Sequence, residues 1–314
     1  MVMRTLEEQG VDLSCVTVSD QGQIGLAFLE YLPGGGRNYQ YYRKHSVGSL
    51  LGADDLDQAG IAGAYAVHFP GMLLELTPQM RGACERLVEI ARSNGVLVSF
   101  DPNIRQELAS SSDALRRLQW AMEQADVAAP TLAEGQFLTG ETTVGNVLRA
   151  LHRMGPRVVA LTRDKDGAVI SMDGQVAVAE GIDMEAVDPT GAGDTLAAAL
   201  CVGLQEGMPL MRLAAFCNSA GTLVITRRGA IGLALPTREQ VEALAASEAC
   251  RVTCLPLDSM PLRATRGTNH ICERKERRHD IAETASQKRR TGAGHHGGHL
   301  RQPGHRQDPQ RLRL

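Results

Sequence analysis

The sequence predicts an α/β domain, a doubly wound and mostly parallel sheet with helices on both faces. Three observations predict it. Short apolar runs alternate with stretches of helical spacing from residue 64 to residue 248. Two of the runs, 96–100 (VLVSF) and 158–162 (VVALT), are nearly continuous in apolar residues, as strands covered on both faces are. The third is a glycine-rich turn, DPTGAGD at 188–194, that runs straight into the apolar stretch 195–200 and so opens a helix.

The elements follow in order. Residues 5–10 read as the end of a helix closed by Gly10. Residues 15–18 (CVTV) are expected as a strand. Residues 24–32 and 38–43 flank Pro33-Gly34-Gly35-Gly36, which is a hairpin pattern within 14–46. That hairpin offers Tyr39, Tyr41, Tyr42 and Arg43 together, either as a half-exposed sheet or as a polar lid. Residues 64–69 are strand-like. Residues 77–93 are helical through Met80, Cys84, Leu87, Val88 and Ile90. Next come a helix at 112–125, a short strand at 126–129 and a helix at 144–154. Residues 168–172 and 176–179 are expected as a hairpin on the sheet edge. Three helices are expected after the glycine turn, at 194–204, 208–227 and 237–248.

Charge divides the chain. The net charge of the 314 residues is −3, but from Arg251 onward there are 14 Lys and Arg against 6 Asp and Glu. The first 250 residues are therefore acidic at −11, and the tail is +8 and holds six of the nine histidines. The expected division is a globular domain at 1–249 and a basic, disordered tail at 250–314. The tail reads as a nucleic-acid arm, as a weak metal chelator through His295, His296 and His299, or as an extension with no selected role; the last is favoured. The seven cysteines show no CxxC and no zinc-like spacing. No signal peptide or membrane span is legible, so a cytoplasmic location is expected.

Polar residues collect where strands end, which is where ligands sit in such folds. Gly191 and Gly193 let backbone approach an anion, and the helix start presents free N–H groups to it. Asp194 stands at that start as an N-cap or as a general base. The stretch is not a Walker A loop, since no Lys-Ser or Lys-Thr follows, nor a dinucleotide fingerprint, since Leu196 occupies the third glycine position. Strand 96–100 leads into Asp101-Pro102-Asn103-Ile104-Arg105, where the arginine is either a loop cation or a ligand for carboxylate or phosphate. Thr131 and Glu134 have capping-box spacing; Glu134 is also a candidate for Mg²⁺ through water. Residues 163–167 (RDKDG) are a charged turn or a nucleotide-phosphate loop.

Together these elements resemble the ribokinase-like sugar kinases of the PfkB family over residues 5–249. The D-[TP]-x-G-A-G-D signature matches at 188–194, and D-P-N-x-R matches at Asp101, Pro102, Asn103 and Arg105. The N-x-x-E element is similar at 131–134, with Thr131 in place of Asn. T-x-G-x-x-G is similar at Thr162 and Gly167, with Asp164 in place of the first glycine. Tyr41-Tyr42-Arg43-x-x-Ser46 looks most like the lid strand of 2-keto-3-deoxygluconate kinases, while fructokinases share much of the rest. The resemblance implies a ribokinase-like fold with a β lid and transfer of the ATP γ-phosphoryl to a sugar hydroxyl. It implies Asp194 as base, Gly191, Ala192 and Gly193 as anion hole, and Tyr41, Arg43 and Arg105 on the sugar acid. Thr131, Thr162, Arg163, Gly167 and Asn218 would line the nucleotide, with Mg²⁺ near Glu134. It also implies pairing of two copies through the lid.

The family opens with a strand, a substrate-binding aspartate and a Gly-Gly-x-x-x-Asn segment, which nothing before Thr5 supplies. A truncated member is expected, with impaired activity or reduced to binding sugar and nucleotide.

Overall fold

Strand residues alternate between two apolar cores, and that alternation sets the architecture. The computed structural model describes residues 2–31, 37–105 and 112–261, which belong to one compact unit. Its elements are α1 (Val2–Glu8), β1 (Leu26–Tyr31), β2 (Arg37–Tyr42), α2 (Gln58–Ala62), β3 (Ala66–Pro70), α3 (Pro78–Ser93), β4 (Leu97–Asp101), α4 (Ser112–Gln124), β5 (Val127–Ala128), α5 (Leu132–Thr139), α6 (Val144–Met154), β6 (Val158–Thr162), β7 (Ala168–Met172), β8 (Gln175–Ala179), α7 (Ala192–Gln205), α8 (Leu210–Ile225), α9 (Arg238–Ala245) and β9 (Val252–Pro256).

Strands β3 to β9 form one sheet in chain order. Strands β3 to β6 pair in parallel. β7, β8 and β9 each pair antiparallel with the strand before. β8 therefore runs with β3 to β6, and only β7 and β9 run against them. Phe69, Phe100, Val159, Leu161 and Val169 face one core with α3, α4 and α6. Val158, Ala160, Ala168, Ile170 and Ala177 face the other, with α7, α8 and Val241 of α9. Successive strand residues point to opposite faces, so a strand covered on both sides is apolar throughout. This is the doubly wound, mostly parallel sheet with helices on both faces that the apolar runs predicted.

The helices start where hydroxyls can cap them. Thr77, Thr131, Thr143 and Thr237 each accept a hydrogen bond from a backbone N–H three residues on. Glu134 and Gln240 complete reciprocal capping boxes.

Two expectations are corrected. Residues 15–18 form no strand; Val18 is 79% exposed and no strand pairs with the segment among the described residues. The lid hairpin forms where it was expected, β1 pairing β2 over six residues each; residues 32–36 lie outside the described residues. The β7–β8 hairpin is not the sheet edge. β9 pairs beyond it over five residues, so the domain runs past residue 249. β9, Val252–Pro256, is an edge strand with no buried residue, so it lacks the apolar run that marks the inner strands, and the basic composition that follows masked it. The basic tail from residue 262, including His295, His296 and His299, lies outside the described residues.

Candidate active site

The glycine turn is held from below by one buried carboxylate. Asp188 is 4% exposed. Its Oδ1 accepts from the Thr190 N–H at 3.0 Å and the Thr190 hydroxyl at 2.6 Å. Its Oδ2 accepts from the Gly229 N–H at 3.1 Å. Gly191 sits at φ +87°, and a Cβ there would lie 2.8 Å from the Ala230 Cβ. Glycine is required on both counts. A Cβ on Gly193 would meet nothing within 4 Å, so the turn is open above. Gly191 is the N-cap of α7, and Asp194 is the third helical residue. The N-cap reading of Asp194 is thus corrected: its carboxylate makes no cap bond and is exposed. The first-turn N–H groups, those of Ala192, Gly193 and Asp194, lie outside the helical ladder.

The ends of β4 and β5 meet beside this turn. Asp101 is 8% exposed and accepts from the Asn103 N–H at 2.9 Å, with Asn103 at φ +38°. Glu134 joins the two strand ends. Its Oε1 accepts from the Ile104 N–H at 2.7 Å. Its Oε2 accepts from both the N–H and the hydroxyl of Thr131 at 2.9 Å. Burial pushes the Asp101 carboxyl up to about 7, helped by the charges of Glu134 and Asp194; the Asn103 N–H and Arg105 oppose the shift. Asp194, Glu134 and Arg105 therefore all act on one buried acid.

The lid reaches the same place. The Arg43 guanidinium lies 4.1 Å from the Tyr41 ring centre, and that of Arg105 lies 5.9 Å from it. Arg43 Nη1 also reaches the Met72 sulfur at 3.3 Å. The Nε of Arg105 is buried without a hydrogen-bond partner, which fits a site that takes an anion.

The residues expected along the nucleotide are mostly engaged by backbone. Thr162 bridges to Thr131 across the ends of β5 and β6, and its N–H bonds the Pro130 carbonyl at 3.1 Å. The Arg163 guanidinium caps its own turn, donating to the carbonyls of Asp166 at 2.5 Å and Ala179 at 3.3 Å. Gly167 has φ +85°, and a Cβ there would lie 2.3 Å from the Ala179 carbonyl oxygen. Asn218, buried on α8, donates to the Glu180 carbonyl at 2.9 Å. Arg163, Gly167 and Asn218 thus fix the walls beside β8. Asp188 was legible only as a signature position, and its clamp on Gly229 depends on a contact 41 residues away.

No group of three or more His, Cys, Asp or Glu that could hold a metal occurs among the described residues. Mg²⁺ is usually held by one or two carboxylates, substrate phosphates and water. Glu134, with both oxygens already accepting, would hold it through water. The open turn at Gly193 fits a phosphate.

Comparison with known proteins places the chain in a family. The family model described as "pfkB family carbohydrate kinase" matches residues 1–238. Fructokinase-1 of Zea mays is 31% identical over 250 residues, 77% of each chain. The 2-dehydro-3-deoxygluconokinase of Bacillus subtilis is 28% identical over 250 residues, 79% of this chain and 77% of its own. The crystal structure described as "a putative Ribokinase II in complex with ATP and Mg+2", from E. coli, superposes with a TM-score of 0.71 at 28% identity, covering 77% of each chain. The family model spans most of the chain and a relative of 31% identity matches over 77% of each chain, so the chain belongs to the pfkB family of carbohydrate kinases.

Proposed function

We propose that the chain transfers the γ-phosphoryl of ATP to a hydroxyl of 2-keto-3-deoxygluconate or a similar sugar acid. The observation that carries the substrate class is the stacking of Arg43 and Arg105 on Tyr41, with an orphaned Arg105 Nε. A carboxylate is the ligand that two guanidinium groups recognise best. In this reading Asp194 accepts the proton of the attacking hydroxyl. The N–H groups of Gly191, Ala192 and Gly193 meet charge on the transferring group. Thr131, Thr162, Arg163, Gly167 and Asn218 border the nucleotide. Mg²⁺ near Glu134 supplies charge neutralisation when bound. A fructokinase is the second reading, favoured by the 31% identity to Fructokinase-1.

We also infer that two copies pair through the lid, whose outward face exposes Leu26, Phe28 and Tyr42, and that the enzyme works in the cytoplasm. An ATP-consumption assay with Mg²⁺ and 2-keto-3-deoxygluconate, fructose or ribose tests the reading. Turnover is expected with the sugar acid. A preference for fructose assigns the second reading, and no turnover with any acceptor removes both. Asp194→Asn is expected to abolish turnover while leaving the melting temperature unchanged; a mutant of near-normal rate removes the base assignment.

A further inference from the structure

His68 belongs to no motif, yet it occupies the floor of this site. It pairs in register with Ser99 on β4, two residues before Asp101. Residues two apart on a strand share a face, so Ser99 and Asp101 point the same way. Phe69 and Phe100 point the other way, into the core with α3 and α4, their rings 5.2 Å apart. His68 Nδ1 lies 2.9 Å from the Ser99 Oγ. Ser99 is fully buried, and the Cys201 thiol of α7, the helix that carries Asp194, lies near it.

The donor in the His68–Ser99 bond depends on the tautomer. Imidazole nitrogen is a better acceptor than the nearby sulfur, which favours the tautomer in which Ser99 donates to Nδ1 and the ring proton stays on Nε2, on an exposed side chain. The neighbours on the Ser99 side desolvate that part of the ring and lower its pKa, while the Asp194 carboxylate works in the opposite direction. No ion pair or hydrogen bond joins His68 to Asp194 among the described residues. The gap between a fixed N–H donor and the candidate base suits a hydroxyl-bearing ligand.

We propose that His68 is a further substrate-binding residue, whose Nε2–H donates to a hydroxyl of the acceptor sugar beside the one that Asp194 deprotonates. This rests on the kinase reading of the site. Three variants test it by steady-state kinetics. His68→Gln keeps a donor near the Nε2 position, His68→Asn keeps only the Nδ1-like contact to Ser99, and His68→Phe keeps neither. The expected result is a KM for the sugar raised roughly tenfold in Asn and Phe, as for one lost hydrogen bond. The KM for ATP stays unchanged, and Gln lies close to the parent. A sugar KM that moves less than twofold in Asn and Phe, or an ATP KM that rises in step, overturns the proposal.

A second measurement does not need turnover. Nitrogen shifts of the His68 ring in the full chain report the tautomer, and 2-keto-3-deoxygluconate and fructose are then added as probes. Nε2–H with a shift on adding either sugar is expected. An Nδ1–H tautomer, or no response to either sugar, overturns the proposal. Absence of turnover together with a sugar-responsive Nε2–H removes the kinase reading and leaves the contact standing.

Discussion

Asp101 stores an electrostatic cost inside the site. Its folded pKa of about 7 lies above the ordinary 3.8, so folding favours its protonated form. The stability this contributes is complete below pH 3.8 and is lost as pH rises through 7. Asp101→Asn keeps an acceptor for the Asn103 N–H and carries no charge. It is expected to be more stable than the parent at pH 8, by up to roughly 4 kcal/mol, with the gap closing below pH 4. Denaturant melts at pH 4, 6 and 8 measure this, and a gap independent of pH would discard the burial account. Gly191→Ala is expected to impair the turn, since φ is +87° and the Ala230 Cβ stands 2.8 Å away. A melting temperature and ATP affinity equal to the parent's would refute that expectation. The sequence showed both residues because the signature and the D-P-N-x-R element are local. It could not show that Asp101 is buried or that Glu134 holds the Ile104 N–H, because both depend on loops some 30 residues apart meeting in space.

Among the elements, strands β3 to β8 and helices α3, α4 and α6 to α9 were legible to within a few residues, because burial leaves a continuous apolar run or a helical stripe; α2 and α5 were not read as helices, and of α5 only the Thr131–Glu134 capping box was. β9 was not legible, since its burial is slight on an edge strand and its sequence is short. It nonetheless covers the outer edge of β8, and its neighbour Met260 packs into the core with α6. Ending the chain at residue 250 is therefore expected to lower the melting temperature by several degrees, as loss of a few kcal/mol would; an unchanged melt would make β9 dispensable. The Asp188 clamp ties the glycine turn to the loop after α8. Asp188→Ala leaves two backbone N–H groups and a hydroxyl without their acceptor, for a loss of about 2–3 kcal/mol. A raised KM for ATP is expected with it, and calorimetry alongside kinetics separates the two effects.

At the scale of the whole molecule the lid is the least self-sufficient part. A two-stranded sheet is marginal by itself in water, and this one exposes Phe28 and Tyr42, stacked edge to face at 5.7 Å. Phe28→Lys is expected to turn a dimer into a monomer in sedimentation, and a parent chain that is already monomeric would remove the pairing. The order of the large sheet, β3 through β9 in chain order, bears on how the protein is made. A ribosome releases the chain from its beginning, so each strand after β3 emerges later than the neighbour it pairs with. The parallel pairs among β3 to β6 each close through a crossover. β9 follows β8 only after α7, α8 and α9. The outer edge of β8 therefore stays uncovered during translation until those helices have left the ribosome.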